Sequence, residues 1–251
     1  MHYTLPDGSA RPVLRDISFD VAPGQFVAVI GQSGCGKTTL LRLLMGLARP
    51  TAGTIEILGS AAGAGDRSCA MVFQHADLLP WRTAQGNVEF GLEVAGVAAG
   101  ERRRVAERML AQVGLAGAAR LRPHQLSGGM RQRVGLARAL ATDPGILLMD
   151  EPFGALDAFT RGGLQAELNQ LHEQTGKTVI FVTHDVDEAA VLADRIVLLT
   201  PTGAMGSDIA TGLPRPRGDL ERLRTLAAFA DVRYQAAQLL RPQAAGPAGA
   251  R

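Results

Sequence analysis

Residues 31–38 read Gly-Gln-Ser-Gly-Cys-Gly-Lys-Thr, the spacing GxxxxGK[ST]. Gly31, Gly34 and Gly36 allow left-handed backbone and close approach, so consecutive N–H groups can wrap a polyphosphate. Gln32, Ser33, Cys35 and Thr39 belong to the same wrap. Lys37 is placed to reach the β and γ oxygens and the Thr38 hydroxyl to ligate Mg²⁺. A helix opening at that point turns its positive end toward the anion. The chain carries two lysines, Lys37 and Lys177, against 24 arginines. A lysine kept here suits a loop that takes a compact ammonium better than a planar fork.

Two other stretches carry chemistry. Ile146–Met149 is an apolar run ending in Asp150 and Glu151. At the carboxyl end of a buried parallel strand beside such a loop, Asp150 can hold Mg²⁺ through water and Glu151 can polarise an attacking water. Without the loop, the plainer reading is an acidic turn at a strand end. Leu126–Arg133 reads LSGGMRQR, with Ser127 as N-cap of an amphipathic helix. The free N–H groups of that first turn make a second anion receptor near Ser127 and Gly129. A capped helix alone explains the serine but not the Gly128-Gly129 pair.

The elements that must position these residues follow from periodicity. Residues 13–30 predict two strands about a turn at Ala22-Pro23-Gly24, the second being the apolar Gln25–Ile30. A helix over Lys37–Gly46 follows the loop, then strand pieces near Thr54–Leu58 and Ala70–Phe73. From His75 to Ala141 the spacing turns helical. Strands return at Ile146–Met149, Thr178–Thr183 and Arg195–Leu199, with a helix around Thr160–Gln174. Such alternation indicates a mainly parallel sheet covered by helices, with the helical block as an insertion. The tail beyond Leu240 (241–251) is too poor in apolar residues for a core and is expected to be disordered.

Composition sets limits. A chain of 251 residues can bury a substantial core. The net charge of +2 gives no electrostatic case for nucleic acid, and Arg102–Arg104 reads as a solvated helix face. Cys35 and Cys69 suggest a reducing compartment rather than a disulfide framework. No apolar run reaches 18 residues and no signal-peptide pattern opens the chain, so a soluble chain that meets membranes through a partner is expected.

In order, the glycine loop, LSGGMRQR, LLMDEP, FGALD (153–157) and VIFVTHD (179–185) resemble the motifs of ATP-binding cassette (ABC) ATPases over roughly residues 1–200. The resemblance implies an α/β fold: a P-loop NTPase (RecA-like) core with a mainly parallel sheet, an N-terminal antiparallel β subdomain and an inserted helical subdomain. The cassette would span 1–230, with core segments at about 1–75 and 145–215 and the helical insertion at about 76–144. It implies ATP and Mg²⁺ as ligands, and a homodimer in which Ser127 and Gly129 meet the γ-phosphate bound by the other copy. Gln74 resembles the glutamine that touches Mg²⁺ and senses the membrane subunit. His184 resembles the histidine that donates to the γ-phosphate, and Asp157 the aspartate that positions elements across the dimer. Tyr3 resembles the aromatic that stacks on adenine. The strand preceding that aromatic in the family is missing here, which leaves either an upstream start or a residue at a fraying N-terminus. His2, His75, His124 and His172 have no comparable setting and are expected at the surface or in loops.

Leu78-Leu79-Pro80-Trp81 allows two readings, ordinary core or a groove for a short helix of a membrane partner, where aromatics give much contact energy. LLPWRT, FGALD and LPRPR (213–217) resemble the nitrate/sulfonate/taurine import group. That likeness implies two transmembrane permease subunits, a periplasmic solute-binding protein and a place at the cytoplasmic face of the inner membrane. The distance from Thr38 to Leu126 is too short for the heptad arms of chromosome-type ATPases. A soluble nucleotide-binding regulator without productive turnover is the alternative that the intact Lys37, Asp150, Glu151 and His184 set opposes.

Overall fold

The computed structural model describes residues 1–4, 9–62 and 68–240. The expected tail at 241–251 lies outside them. A short antiparallel pair, β1 (His2–Thr4) and β2 (Ala10–Pro12), opens the chain. β3 (Phe26–Gly31) leads through the glycine loop into α1 (Lys37–Leu44). A small hairpin, β4 (Glu56–Ile57) and β5 (Ser60–Ala61), precedes β6 (Cys69–Val72). Helices α2 (Ala84–Val94), α3 (Ala99–Gln112) and α4 (Gly128–Ala141) pack on one another. The chain then runs through β7 (Ile146–Asp150), α5 (Ala158–Thr175), β8 (Thr178–Thr183), α6 (Val186–Leu192) and β9 (Arg195–Leu199). It ends with β10 (Met205–Ala210), α7 (Leu220–Arg224) and α8 (Ala227–Leu240).

Six strands form one sheet in the order β10-β9-β3-β8-β7-β6. Five run parallel, and β10 closes one edge antiparallel to β9. All six residues of β3 are buried, because both faces of the sheet are covered. Alternation along the strand splits them between two cores. Phe26, Ala28 and Ile30 join a core with Leu147, Met149, Phe181 and the residues of α2 to α6. Val27 and Val29 join Leu40, Leu41 and Leu43 of α1 on the other face. The continuous apolar run at 26–30 is therefore the signature of a strand wet on neither side.

Two expectations change. Residues 13–21 do not form a strand; among them only Arg15 bridges, to Ala204. Asp16 takes a left-handed φ of 48°, which breaks extended pairing at that point. His172 is not at the surface: it is buried in α5, its ring edge-on to Phe26 at 5.2 Å and its Nε2 3.0 Å from the Gly24 carbonyl. Desolvation, helped by the nearby Arg215 cation, holds its basicity below the usual imidazole range. His2, His75 and His124 are exposed as expected.

Candidate nucleotide site

The carboxyl ends of β3, β7 and β8 lie side by side, since β8 pairs with both neighbours. That register is what gathers three distant motifs. Gly36 caps α1 with φ 105°, and a Cβ there would sit 2.6 Å from Leu14 Cδ2. At Gly31 a Cβ would meet Cys35 Sγ at 2.6 Å and the Leu199 carbonyl at 2.7 Å. These two positions admit nothing larger than glycine, so the backbone of the loop can approach an anion closely. Gly34 has φ 82° and open space around it. Cys35 is buried under the loop, and burial pushes its thiol up, away from the thiolate.

Lys37 is only 6% exposed. Its ammonium donates to the carbonyls of Gly31 (2.8 Å) and Gln32 (3.2 Å), and Glu151 Oε1 lies 3.6 Å away. A buried cation held by its own loop and one shared carboxylate is a fitting receptor for phosphate oxygens. Glu151 extends the chain of contacts, its Oε2 lying 3.0 Å from His184 Nδ1. The Glu151 backbone adopts φ 43°, a region costly for a non-glycine residue, and its N–H donates to the Val182 carbonyl at 2.9 Å. Strain of that kind turns the carboxylate off the strand line and toward the loop. Asp150, one residue earlier, is pushed upward in pKa chiefly by burial, while a hydrogen bond from the Thr38 hydroxyl opposes that shift. Thr38 and Asp150 thus form a pair of hard oxygen donors, suited to Mg²⁺. Among the described residues, no group of three or more His, Cys, Asp and Glu side chains could hold a metal by itself.

The remaining predicted residues lie on other segments. Gln74 is exposed on the loop after β6, its amide lying against Gly154, where a Cβ would approach Nε2 to 3.2 Å. Ser127 caps α4 by accepting from the Met130 N–H at 3.2 Å. Gly129 is buried, and a Cβ there would reach 2.5 Å from Thr160 Cγ2, which explains the second glycine of the pair. Asp157 caps α5 by accepting from the Thr160 N–H and hydroxyl; those donors hold its carboxyl below the usual range. Tyr3 lies in β1, and its side chain is outside the described atoms.

A family profile described as ABC transporter matches residues 14–154. The chain belongs to that family. As an ABC ATPase it shares 43% identity with the nitrate import ATP-binding protein NrtC of Synechococcus elongatus over 245 residues, which is 96% of this chain and 37% of NrtC. It is 51% identical to the taurine import ATP-binding protein TauB of Yersinia pestis bv. Antiqua, over 76% of this chain and 75% of that one. Its fold matches a solved structure described as the dimeric, post-hydrolysis state of the ATP-binding cassette MJ0796 bound to ADP and Pi. The TM-score is 0.74 and the identity 34%, over 83% of this chain and 94% of the other. Together these place the chain among the ATP-binding cassettes of ABC transporters.

The structure adds residues of the cassette that sequence reading did not single out. Gln132 Nε2 on α4 donates to the Phe73 carbonyl at 3.0 Å, and Arg138 donates to the carbonyls of Ala76 and Asp77. The Gln74 loop is therefore strapped to the helix that Ser127 starts. Asn87, fully buried, accepts from the Leu79 N–H at 2.7 Å and donates back to the Leu79 carbonyl. That grip shapes the loop carrying Trp81, whose side chain is left 68% exposed. Ordinary core is thus excluded for Trp81. No helix among the described residues is long and apolar enough to cross a membrane. Arg215 and Arg217 of LPRPR are structural: their guanidinium groups donate to the carbonyls of Val191, Leu192 and Ala193 and pair with Asp194.

Proposed function

We propose that this cassette powers an importer for a small anion such as nitrate, a sulfonate or taurine. Two copies would enclose two ATP molecules, and the site residues act as follows. Gly31, Gln32, Ser33, Gly34, Cys35, Gly36, Lys37, Thr38 and Thr39 hold the phosphates. Thr38, Asp150 and Gln74 would hold Mg²⁺, which would supply positive charge to neutralise the phosphoryl oxygens. Glu151 orients and polarises the attacking water, and His184 steadies the γ-phosphate. Ser127 and Gly129 serve the nucleotide bound by the second copy, and Tyr3 stacks on adenine. The cassette spans 1–230, with its helical subdomain at about 76–144.

The observation carrying this reading is the Lys37–Glu151–His184 chain of contacts at three neighbouring strand ends. The anion as cargo rests on the likeness to the nitrate import protein NrtC and the taurine import protein TauB. Trp81, exposed on a loop that Asn87 braces, is suited to receive a short helix from a permease subunit, so that two copies would engage two permease subunits. A periplasmic solute-binding protein would deliver the anion, and the cassette would sit at the cytoplasmic face of the inner membrane through its permeases. Phosphate release by the purified chain with Mg²⁺ and ATP tests the reading. Release that Glu151→Gln abolishes supports it; nucleotide binding with no release by the parent chain favours a regulatory module instead. Cargo is tested by growth of a deletion strain on nitrate, sulfonate or taurine as sole nitrogen or sulfur source.

A further inference from the structure

The first turn of α5 touches three pieces of the machinery at once. Thr160 packs its methyl group against Gly129, at the start of α4. Arg161 Nη2 donates to the Leu156 carbonyl at 3.1 Å, just before the Asp157 cap. The same guanidinium reaches the segment around His184: Nη1 lies 3.7 Å from Asp185 Oδ2 and Nε 3.7 Å from Glu188 Oε1. Glu188, 5% exposed, accepts from the Thr183 hydroxyl at 2.7 Å, and Thr183 Oγ1 accepts from the Asp185 N–H at 3.0 Å. His184 therefore sits between two residues that Glu188 anchors directly or through one bond.

We propose that Arg161 and Glu188 form a strut that passes the position of the Ser127–Gly129 turn to His184 within one chain. The proposal rests on the dimeric ATPase reading above. In that arrangement the turn faces the partner's nucleotide and His184 faces the chain's own, so the strut links the two ATP sites. Its chemistry fits a movable part. A buried carboxylate facing a guanidinium is a poor way to gain stability, since an apolar pair of equal size avoids the desolvation cost. The pair is also slack: Arg161 Nε is buried without a hydrogen-bond partner, although a carboxylate oxygen stands less than 4 Å off. A small advance of the α5 first turn would close that gap into a charge-assisted hydrogen bond.

The test uses the full chain at pH 8, with ATP hydrolysis measured against ATP concentration. Arg161→Met removes the charge at similar length, Arg161→Lys retains it, and Glu188→Gln keeps the bond from Thr183 while deleting the carboxylate. The strut predicts that binding of a fluorescent ATP analogue changes by no more than about threefold, while kcat falls about 10- to 100-fold. The Hill coefficient drops toward about 1 in both charge-deleting variants and recovers in part with lysine. Folded Arg161→Met with parental kcat and Hill coefficient overturns the strut. If Arg161→Met does not fold, the near-isosteric Glu188→Gln decides by the same criteria. A parent that binds ATP without releasing phosphate would sink the ATPase reading instead. Hydrogen exchange of amides 184–188 then decides on the strut: faster exchange in Arg161→Met than in Arg161→Lys supports it, and equal exchange removes it.

Discussion

Glu151 Oε2 and His184 Nδ1 stand 3.0 Å apart, although 33 positions separate the two residues. β7 and β8 run parallel in register, with Asp150 opposite Val182, so the residues following each strand emerge at the same edge. The left-handed φ of Glu151 turns its carboxylate into the gap that Lys37 closes from the other side. One carboxylate thus faces an ammonium and an imidazole, and its loss breaks both contacts.

Glu151→Gln keeps the size of the side chain and removes its basicity. Phosphate release is expected to fall by about 10²- to 10⁴-fold, as for loss of a general base. ATP binding persists, and the ATP-bound dimer accumulates on size-exclusion chromatography. Turnover near the parental rate would take the role of base away from Glu151.

His184→Ala leaves the glycine loop intact, so nucleotide affinity should stay near that of the parent. Hydrolysis is expected to drop by about 10²-fold, the scale for removing one donor to a developing charge. A steady-state ATPase assay checks this, and an unchanged kcat would refute it.

Gly129→Ala places a methyl group 2.5 Å from Thr160 Cγ2. Overpacking of this kind costs about 1–3 kcal/mol. Thr160→Ser deletes the opposing methyl while keeping a hydroxyl for Asp157. The double variant should recover most of the loss in urea unfolding. A double variant as unstable as the single one would show that the clash lies elsewhere.

Glu188 gives stability a pH dependence. Burial pushes its carboxyl up to about 7 from an ordinary 4.5; the Thr183 hydroxyl, the Arg161 guanidinium and the His184 ring act against burial, whereas Asp185 adds to it. The folded state therefore holds the proton more tightly than the unfolded chain. The stabilisation is complete below pH 4.5 and is lost as pH rises through about 7. By linkage the loss is on the order of 3 kcal/mol. Melting temperatures of the parent and Glu188→Gln, compared at pH 5 and pH 8, should diverge in favour of the variant at pH 8. Parallel curves would contradict this.

Trp81→Ala is expected to leave the ATPase activity of the isolated chain within about twofold, because truncations at a docking surface act on binding. Co-purification with the permease subunits should weaken markedly. Retention of the complex at parental yield would remove Trp81 from the docking surface.

The motif residues Gly31–Thr38, Asp150, Glu151 and Ser127 were legible in the chain because their chemistry is local. A glycine loop, an acidic strand end and a helix cap each depend on a few consecutive residues, and the apolar runs at 26–30 and 179–182 announce strands buried on both faces. Folding decided what depends on distant partners. Parallel register brought Lys37, Glu151 and His184 into contact, while Asp16 interrupted a stretch whose alternation promised a strand. Neither the burial of His172 against Phe26 nor the seat of Glu188 beneath the His184 loop has a local signal. Arg161 looks like any surface arginine on a helix until α5 packs beside α6. Side-chain periodicity reports which face is apolar, but only packing reports which charge ends up beneath which loop.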